Sequence, residues 1–137
     1  MWVTPKTDWA PSDTMDIIQD MGRISGDTQY LKDAVTAAGY RVPLDDYAPI
    51  YPDIKTSWAY TDMLVDQRVD TIICTIYAMY DCFDASPPVP DRIYAAVTAG
   101  YFNAIEESLV LLKEIVDSIS TLSVHCGSIQ CGQQWPI

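Results

Sequence analysis

The octapeptide Lys6-Thr7-Asp8-Trp9-Ala10-Pro11-Ser12-Asp13 returns as Lys55-Thr56-Ser57-Trp58-Ala59-Tyr60-Thr61-Asp62, with five positions identical and a sixth exchanging Ser for Thr. Self-similarity of this kind marks a chain assembled from repeated supersecondary units. Both copies precede long stretches of helical patterning. Ser12-Asp13 and Thr61-Asp62 have the chemistry of helix N-caps, whose side-chain oxygens accept from unpaired N–H groups of a first turn. Trp9 and Trp58 lie just upstream, where a hydrophobic side chain clamps the entering chain over the first turns. An indole is also a stacking surface for a ligand. A repeated lead-in needs no ligand to explain it, so these six residues are read as helix-entry anchors.

A second, weaker repeat lies inside the helical stretches. It runs Gly22-Arg23-Ile24-Ser25, Gln67-Arg68-Val69-Asp70 and Asn103-Ala104-Ile105-Glu106. Seven residues after each aliphatic comes another: Leu31, Ile76 and Leu112. Seven residues make two helical turns, so each pair shares a face. Three helices are therefore expected, each turning an equivalent stripe toward a common core.

Residues 1–11 read as an extended arm. A first helix is expected over 13–38, with Met15, Ile18, Met21, Ile24, Leu31 and Val35 at three- and four-residue steps. Gly39 is placed to cap its end. Residues 40–57 form a long loop with three prolines and with Tyr47 and Tyr51, packed on the bundle. A second helix is expected over 61–84. Its apolar face is broad enough for a central helix or one that meets another subunit. Ser86-Pro87-Pro88-Val89-Pro90 stops it. A third helix is expected over 91–121, either kinked at Gly100 or restarted by a cap at Thr98. Residues 122–137 read as a short hairpin or extended tail. The expected fold is all-α: a bundle of about three long helices over 1–121 with an extended N-terminal arm, and a short β-like tail over 122–137.

The chain has 137 residues, the size of one domain. Its formal charge of −11 argues against nucleic-acid backbones and anionic membranes as partners. The richest apolar run, 71–80, is too short to span a bilayer. The first residues lack the basic and apolar regions of a signal peptide, so synthesis in a cytoplasm is expected. Cys74 and Cys82 sit eight residues apart in one helix and cannot bridge each other. His125, Cys126 and Cys131 offer three potential metal ligands, but a zinc site wants a fourth ligand and a tighter pair. A disulfide between Cys126 and Cys131 is stereochemically open but disfavoured in a reducing compartment. No metal or cofactor is expected.

These motifs together resemble small virion structural proteins of phages and prophages of Gram-positive bacteria. Those proteins carry a Lys-x-x-Trp lead-in, a downstream Asp, and a helix with an Asp-Leu-Asn-Arg-Ile-Glu-Asn-Asn type core followed by Tyr-Leu. Asp20 to Asp27 matches that core at Asp20, Arg23 and Ile24, and Tyr30-Leu31 supplies the pair. Asn103-Ala104-Ile105-Glu106 through Leu109 looks like the same motif again. Cys126 to Gly132 resembles the Cys-Gly-x-x-x-Cys-Gly-Glu stretch near the family's end. The sequence departs from the pattern at Gly22, Ser25 and Gly26. The resemblance implies a tail, baseplate or fibre-associated subunit, or a part of a phage-tail-like injection particle.

The expected function is a non-enzymatic structural subunit, in the virion after synthesis in the host, contacting copies of itself and other virion proteins. Trp2, Tyr47, Tyr51 and Trp135 are its candidate interface anchors, since Trp and Tyr dominate interface energetics. The alternative is a module binding a host cell-wall glycan or peptide, with the loop tyrosines stacking and Asp45, Asp46 and Asp53 hydrogen-bonding. Catalysis is not expected. Glu106-Glu107 is adjacent rather than face-matched. His125 and Cys126 are sequential, whereas a nucleophile and its base need spatial pairing. No phosphate-binding glycine loop or zinc-protease motif is present.

Overall fold

The computed structural model describes residues 2–88 and 98–128. Among them the protein is all-α, with no strand. A π-helical turn, Ile17–Met21, runs into α1, Gly22–Ala37. A 3-10 turn, Leu44–Asp46, lies in the long connection to α2, Asp66–Asp81. The last helix, α3, spans Ala99–Ser128.

Three helices are present as expected, with different bounds. The first begins at Ile17 rather than at 13, and α2 is shorter than 61–84 at both ends. For the third, 91–97 lie outside the described residues. Thr98 stands at the start of α3: its Oγ1 accepts from Tyr101 N at 3.2 Å and its carbonyl from Phe102 N at 3.1 Å. At the other end α3 continues past 121 to Ser128, so 122–128 are helical and not a hairpin. A helix already nucleated extends at little cost, and no proline or glycine intervenes before Gly127. The rest of the tail lies outside the described residues.

The helix entries differ from expectation. Asp16, not Ser12 or Asp13, caps the first helix. Its Oδ1 accepts from Ile18 N at 3.1 Å and Gln19 N at 3.3 Å, and its own N–H donates to Asp20 Oδ2 at 2.8 Å, a reciprocal box. Val65 precedes α2 with no side-chain cap. Asp16→Ala is expected to cost about 1 kcal/mol in a urea melt.

The helix exits of α1 and α2 match each other. Gly39, at φ +100°, donates to Thr36 O at 3.0 Å while Tyr40 N reaches Val35 O at 3.3 Å. Asp84, at φ +53°, donates to Asp81 O at 3.4 Å while Ala85 N reaches Tyr80 O at 3.2 Å. Both pairs have the 5→2 and 6→1 pattern of a Schellman close, and Gly39 caps as expected. Asp at the left-handed position carries a Cβ penalty that glycine lacks. Asp84→Gly is therefore expected to raise stability by up to about 1 kcal/mol, and Gly39→Ala to lower it by about 1 kcal/mol. Thermal melts of the two variants check the opposite signs.

The stripes of the internal repeat lie in the core. Ile24, Val69 and Ile105 are buried, as are Leu31, Ile76 and Leu112 seven residues on. Ile18, expected in the stripe, is instead exposed on the π-turn. The stripe recurs at 45 residues between α1 and α2, whereas the lead-in recurs at 49. The first unit thus carries four extra residues between Asp13 and α1, the stretch that holds the widened π-turn.

All three helices run in the same direction. Tyr60 near the start of α2 meets Asp16 at the start of the first helix, while Phe83 at the end of α2 meets Tyr40 just past α1. Asn103, early in α3, meets Trp9 before α1, and Val116 and Ile119 share a cavity with Ala34 and Ala38 at the end of α1. Parallel neighbours need a connection that crosses back. Residues 40–58 make that crossing along α2, from Cys82 at one end, past Tyr77, to Thr71. Residues 2–9 run the same way between α1 and α3, from Trp2 beside Tyr30 to Trp9 beside Asn103. Each extended strap therefore covers a groove between two helices. This explains the breadth of α2's apolar face: residues 71–76 are all buried, and the 40–58 strap covers part of that surface.

Candidate functional site

The two lead-ins fold alike. Asp13 N donates to Ala10 O at 2.9 Å, and Ala10 N donates back to Asp13 Oδ2 at 2.8 Å. Asp62 and Ala59 repeat this at 3.0 and 2.7 Å. Lys6 Nζ lies 3.5 Å from Asp13 and 5.1 Å from the Trp9 ring centre, and Lys55 Nζ lies 3.5 Å from Asp62 and 5.2 Å from Trp58. The backbone bond from Ala10 holds the Asp13 carboxyl below the ordinary range, and that from Ala59 does the same for Asp62. The acids thus close tight turns before the helices instead of capping them. Ser12 and Thr61 are exposed at the turn tips.

Each tryptophan is buried against a helix other than the one it precedes. Trp58 Nε1 donates to Ser25 Oγ on α1 at 3.2 Å and to Lys55 O at 2.8 Å. Trp9 Nε1 donates to Glu106 Oε2 on α3. Ser25 and Glu106 occupy equivalent places, one residue after Ile24 and Ile105 in the helical repeat. One lead-in therefore locks to the helix behind it in sequence, and the other to the last helix.

Glu106 is the centre of a buried charge cluster. It is fully buried on α3 and accepts from Arg23 Nε at 2.7 Å, from Arg23 NH2 at 2.9 Å and from Lys6 N at 2.9 Å, besides the Trp9 indole. Arg23 NH1 donates to Asp20 Oδ1 at 2.8 Å. Burial works against the Arg23 charge, but the bonds to Glu106 and Asp20 keep it above its usual range. Asn103 adds a two-way amide bond, accepting from Trp9 N at 2.6 Å and donating to Trp9 O at 2.9 Å. The bidentate guanidinium–carboxylate pair is the geometry that gives the strongest ionic hydrogen bonds.

Asp27, one turn after Arg23 on α1, is 1 % exposed. Its Oδ1 accepts from Val3 N at 2.8 Å, while its Oδ2 is buried without a hydrogen-bond partner among the described residues. Burial pushes its carboxyl up to about 6, against the opposing pull of the Val3 N–H and Arg23.

The candidate interface anchors are distributed along the straps. Trp2 is half-buried, tilted against Tyr30 at 5.9 Å with Lys113 Nζ 5.5 Å above it. Tyr47 stacks on Tyr77 at 5.8 Å and donates to Asp81 Oδ2 at 2.5 Å. Burial, then the hydrogen bond to Asp81 and the charge of that carboxylate, raises its hydroxyl pKa well above the usual value. The Arg68 guanidinium covers the Tyr51 ring at 3.8 Å. Trp135 lies outside the described residues. The most exposed apolar side chains are others: Ile50, Tyr60 at 73 % and Met63 at 80 %. Cys74 Sγ lies 3.7 Å from Asp70 Oδ1 and Cys82 Sγ 3.4 Å from Arg41 O, and Cys131 lies outside the described residues. No helix among the described residues is long and apolar enough to cross a membrane.

Sequence reasoning missed Glu106, Asn103 and Asp27 as structural residues. Glu106 stands four residues after Phe102 and three before Leu109, both buried. That register was the available signal, while the neighbouring Glu107 made the pair resemble a solvated edge. Among the described residues an apolar cavity of about 360 Å³ lies at the far end of the bundle, lined by Ala34, Val35, Phe83, Val116 and Ile119 among others. No protein-family model, curated protein or solved structure matches the chain.

Proposed function

We propose that the chain is a non-enzymatic structural subunit of a phage or phage-tail-like particle, in its tail, baseplate or fibres, working by protein–protein assembly. The observation that carries this is how the resemblance motifs are used. Lys6, Trp9, Arg23, Asn103 and Glu106 bond to one another and fix an extended strap to the bundle. Polar groups saturated by internal partners serve architecture rather than turnover. Straps that hold a fold together are also the means by which particle subunits join.

The partners proposed are further copies of the chain and other virion proteins, with the virion as location. The net charge of −11 supports protein neighbours over nucleic acid or membrane. Tyr60 and Met63, exposed at the second turn tip, are the contact residues to examine first, followed by Trp2 and Trp135. A glycan-binding module is less well supported, because Tyr47 is stacked on Tyr77 and Tyr51 is covered by Arg68.

Light scattering after size-exclusion chromatography, over a range of concentrations, tests self-assembly. A discrete oligomer that weakens in Tyr60→Ser/Met63→Ser supports the reading. A strict monomer at high concentration, with no binding to a preparation of the particle's other proteins, overturns it.

A further inference from the structure

We propose that the first residues of the N-terminal strap form a latch over Asp27, clasped while that carboxyl is neutral and loosened when it ionises. The inference is independent of the assembly reading, because it concerns only contacts within one chain.

The strap is held unevenly. From Lys6 to Trp9 it is fixed by Glu106 and Asn103 through main-chain and indole bonds. Its outer part, Trp2 to Thr4, is held by the Val3 N–H to Asp27 and by ring contacts of Trp2 with Tyr30 and Lys113. Val3 itself is 46 % exposed, whereas the Asp27 carboxyl to which its N–H donates is buried. Beneath it, Asp27 Oδ2 has no hydrogen-bond partner among the described residues although it is buried. An unpaired carboxylate oxygen is far more costly to bury than an unpaired neutral carboxyl.

The surrounding charges partly oppose one another. Arg23 on the same helix and, more weakly, the chain's amino terminus favour the ionised form. Glu106, facing it from α3, disfavours that form. Lys6 on the strap is engaged with Asp8 and Asp13, and Lys113 of α3 lies over Trp2. The balance leaves the covered carboxyl titrating near 6. Once the strap tip lifts, Asp27 is solvated and titrates near ~3.9. The closed state binds the proton more tightly, so closure is favoured at low pH. It weakens as pH rises from about 4 to about 6, by roughly 100-fold in the docking equilibrium.

The test is nuclear magnetic resonance on the full chain from about pH 3.5 to about pH 8. The Val3 amide and Trp2 indole signals are expected to move together toward free-peptide positions as pH rises from about 4 to about 6 and to level off above it, while the Trp9 indole stays in place. Asp27→Asn is expected to abolish the transition. Trp2→Ala, which leaves the carboxyl intact, is expected to bring the Asp27 titration down toward 4. Strap signals that stay flat across the range in the native chain, or that move identically in Asp27→Asn, overturn the proposal. So does an Asp27 titration unchanged in Trp2→Ala.

Discussion

Glu106→Ala is expected to lower the free energy of unfolding by roughly 3–5 kcal/mol. The carboxylate is fully buried and receives Arg23, Lys6 N and the Trp9 indole. Removing it leaves a guanidinium with 13 % side-chain exposure and Asp20 as its remaining ion-pair partner among the described residues. It also leaves two neutral donors unpaired in the groove between α1 and α3. Small domains have ~5–15 kcal/mol in total, so this loss is a large share. Urea unfolding followed by tryptophan fluorescence reads it. Replacing the ion pair together, as Arg23→Met/Glu106→Leu, removes the stranded charge and is expected to recover part of the loss. Full recovery is not expected, because Lys6 N and the Trp9 indole still lack an acceptor. A single Glu106→Ala loss below about 1 kcal/mol, typical of exposed pairs, would refute the hub.

The second large effect is at Trp58. Trp58→Ala is expected to cost about 3–5 kcal/mol, through the cavity left where the second strap meets α1. Trp58→Phe keeps most of the ring and loses the N–H to Ser25 Oγ and Lys55 O, which predicts about 1–2 kcal/mol. Trp9→Phe removes a donor to a charged acceptor and is expected to cost about 1.5–3 kcal/mol, more than its counterpart. The ordering of the two Phe variants in thermal melts distinguishes an indole serving a carboxylate from one serving neutral groups.

The parts of this fold legible in the sequence are those set by period and repetition. Ile24 and Leu31, Val69 and Ile76, Ile105 and Leu112 declare their faces because two helical turns bring a residue back to the same side. Gly39 declares a helix end because a left-handed position favours it. Asp13 and Asp62 misled because an acid three residues after an alanine can close a turn or cap a helix with the same atoms. Asp16 does the capping instead, one short helical turn later. Helix direction was not legible, since a long connection is compatible with either sense until its contacts are known. Glu106 stayed hidden because burial of an acid depends on Arg23, 83 residues away, and local pattern carries no information on that partner.

The strap between α1 and α3 also sets an order of events during synthesis. Trp9 and Glu106 are 97 residues apart, and Lys6 is 100 residues from the same carboxylate. At ~5–20 residues per second, several seconds pass between the emergence of one end of the lock and the other. Through that interval Arg23 and the indole have no Glu106 to meet, while α1, the second strap and α2 have all their mutual partners in hand. The nascent chain therefore builds α1 and α2 around an open seam, and the strap made before them settles only after α3 has emerged.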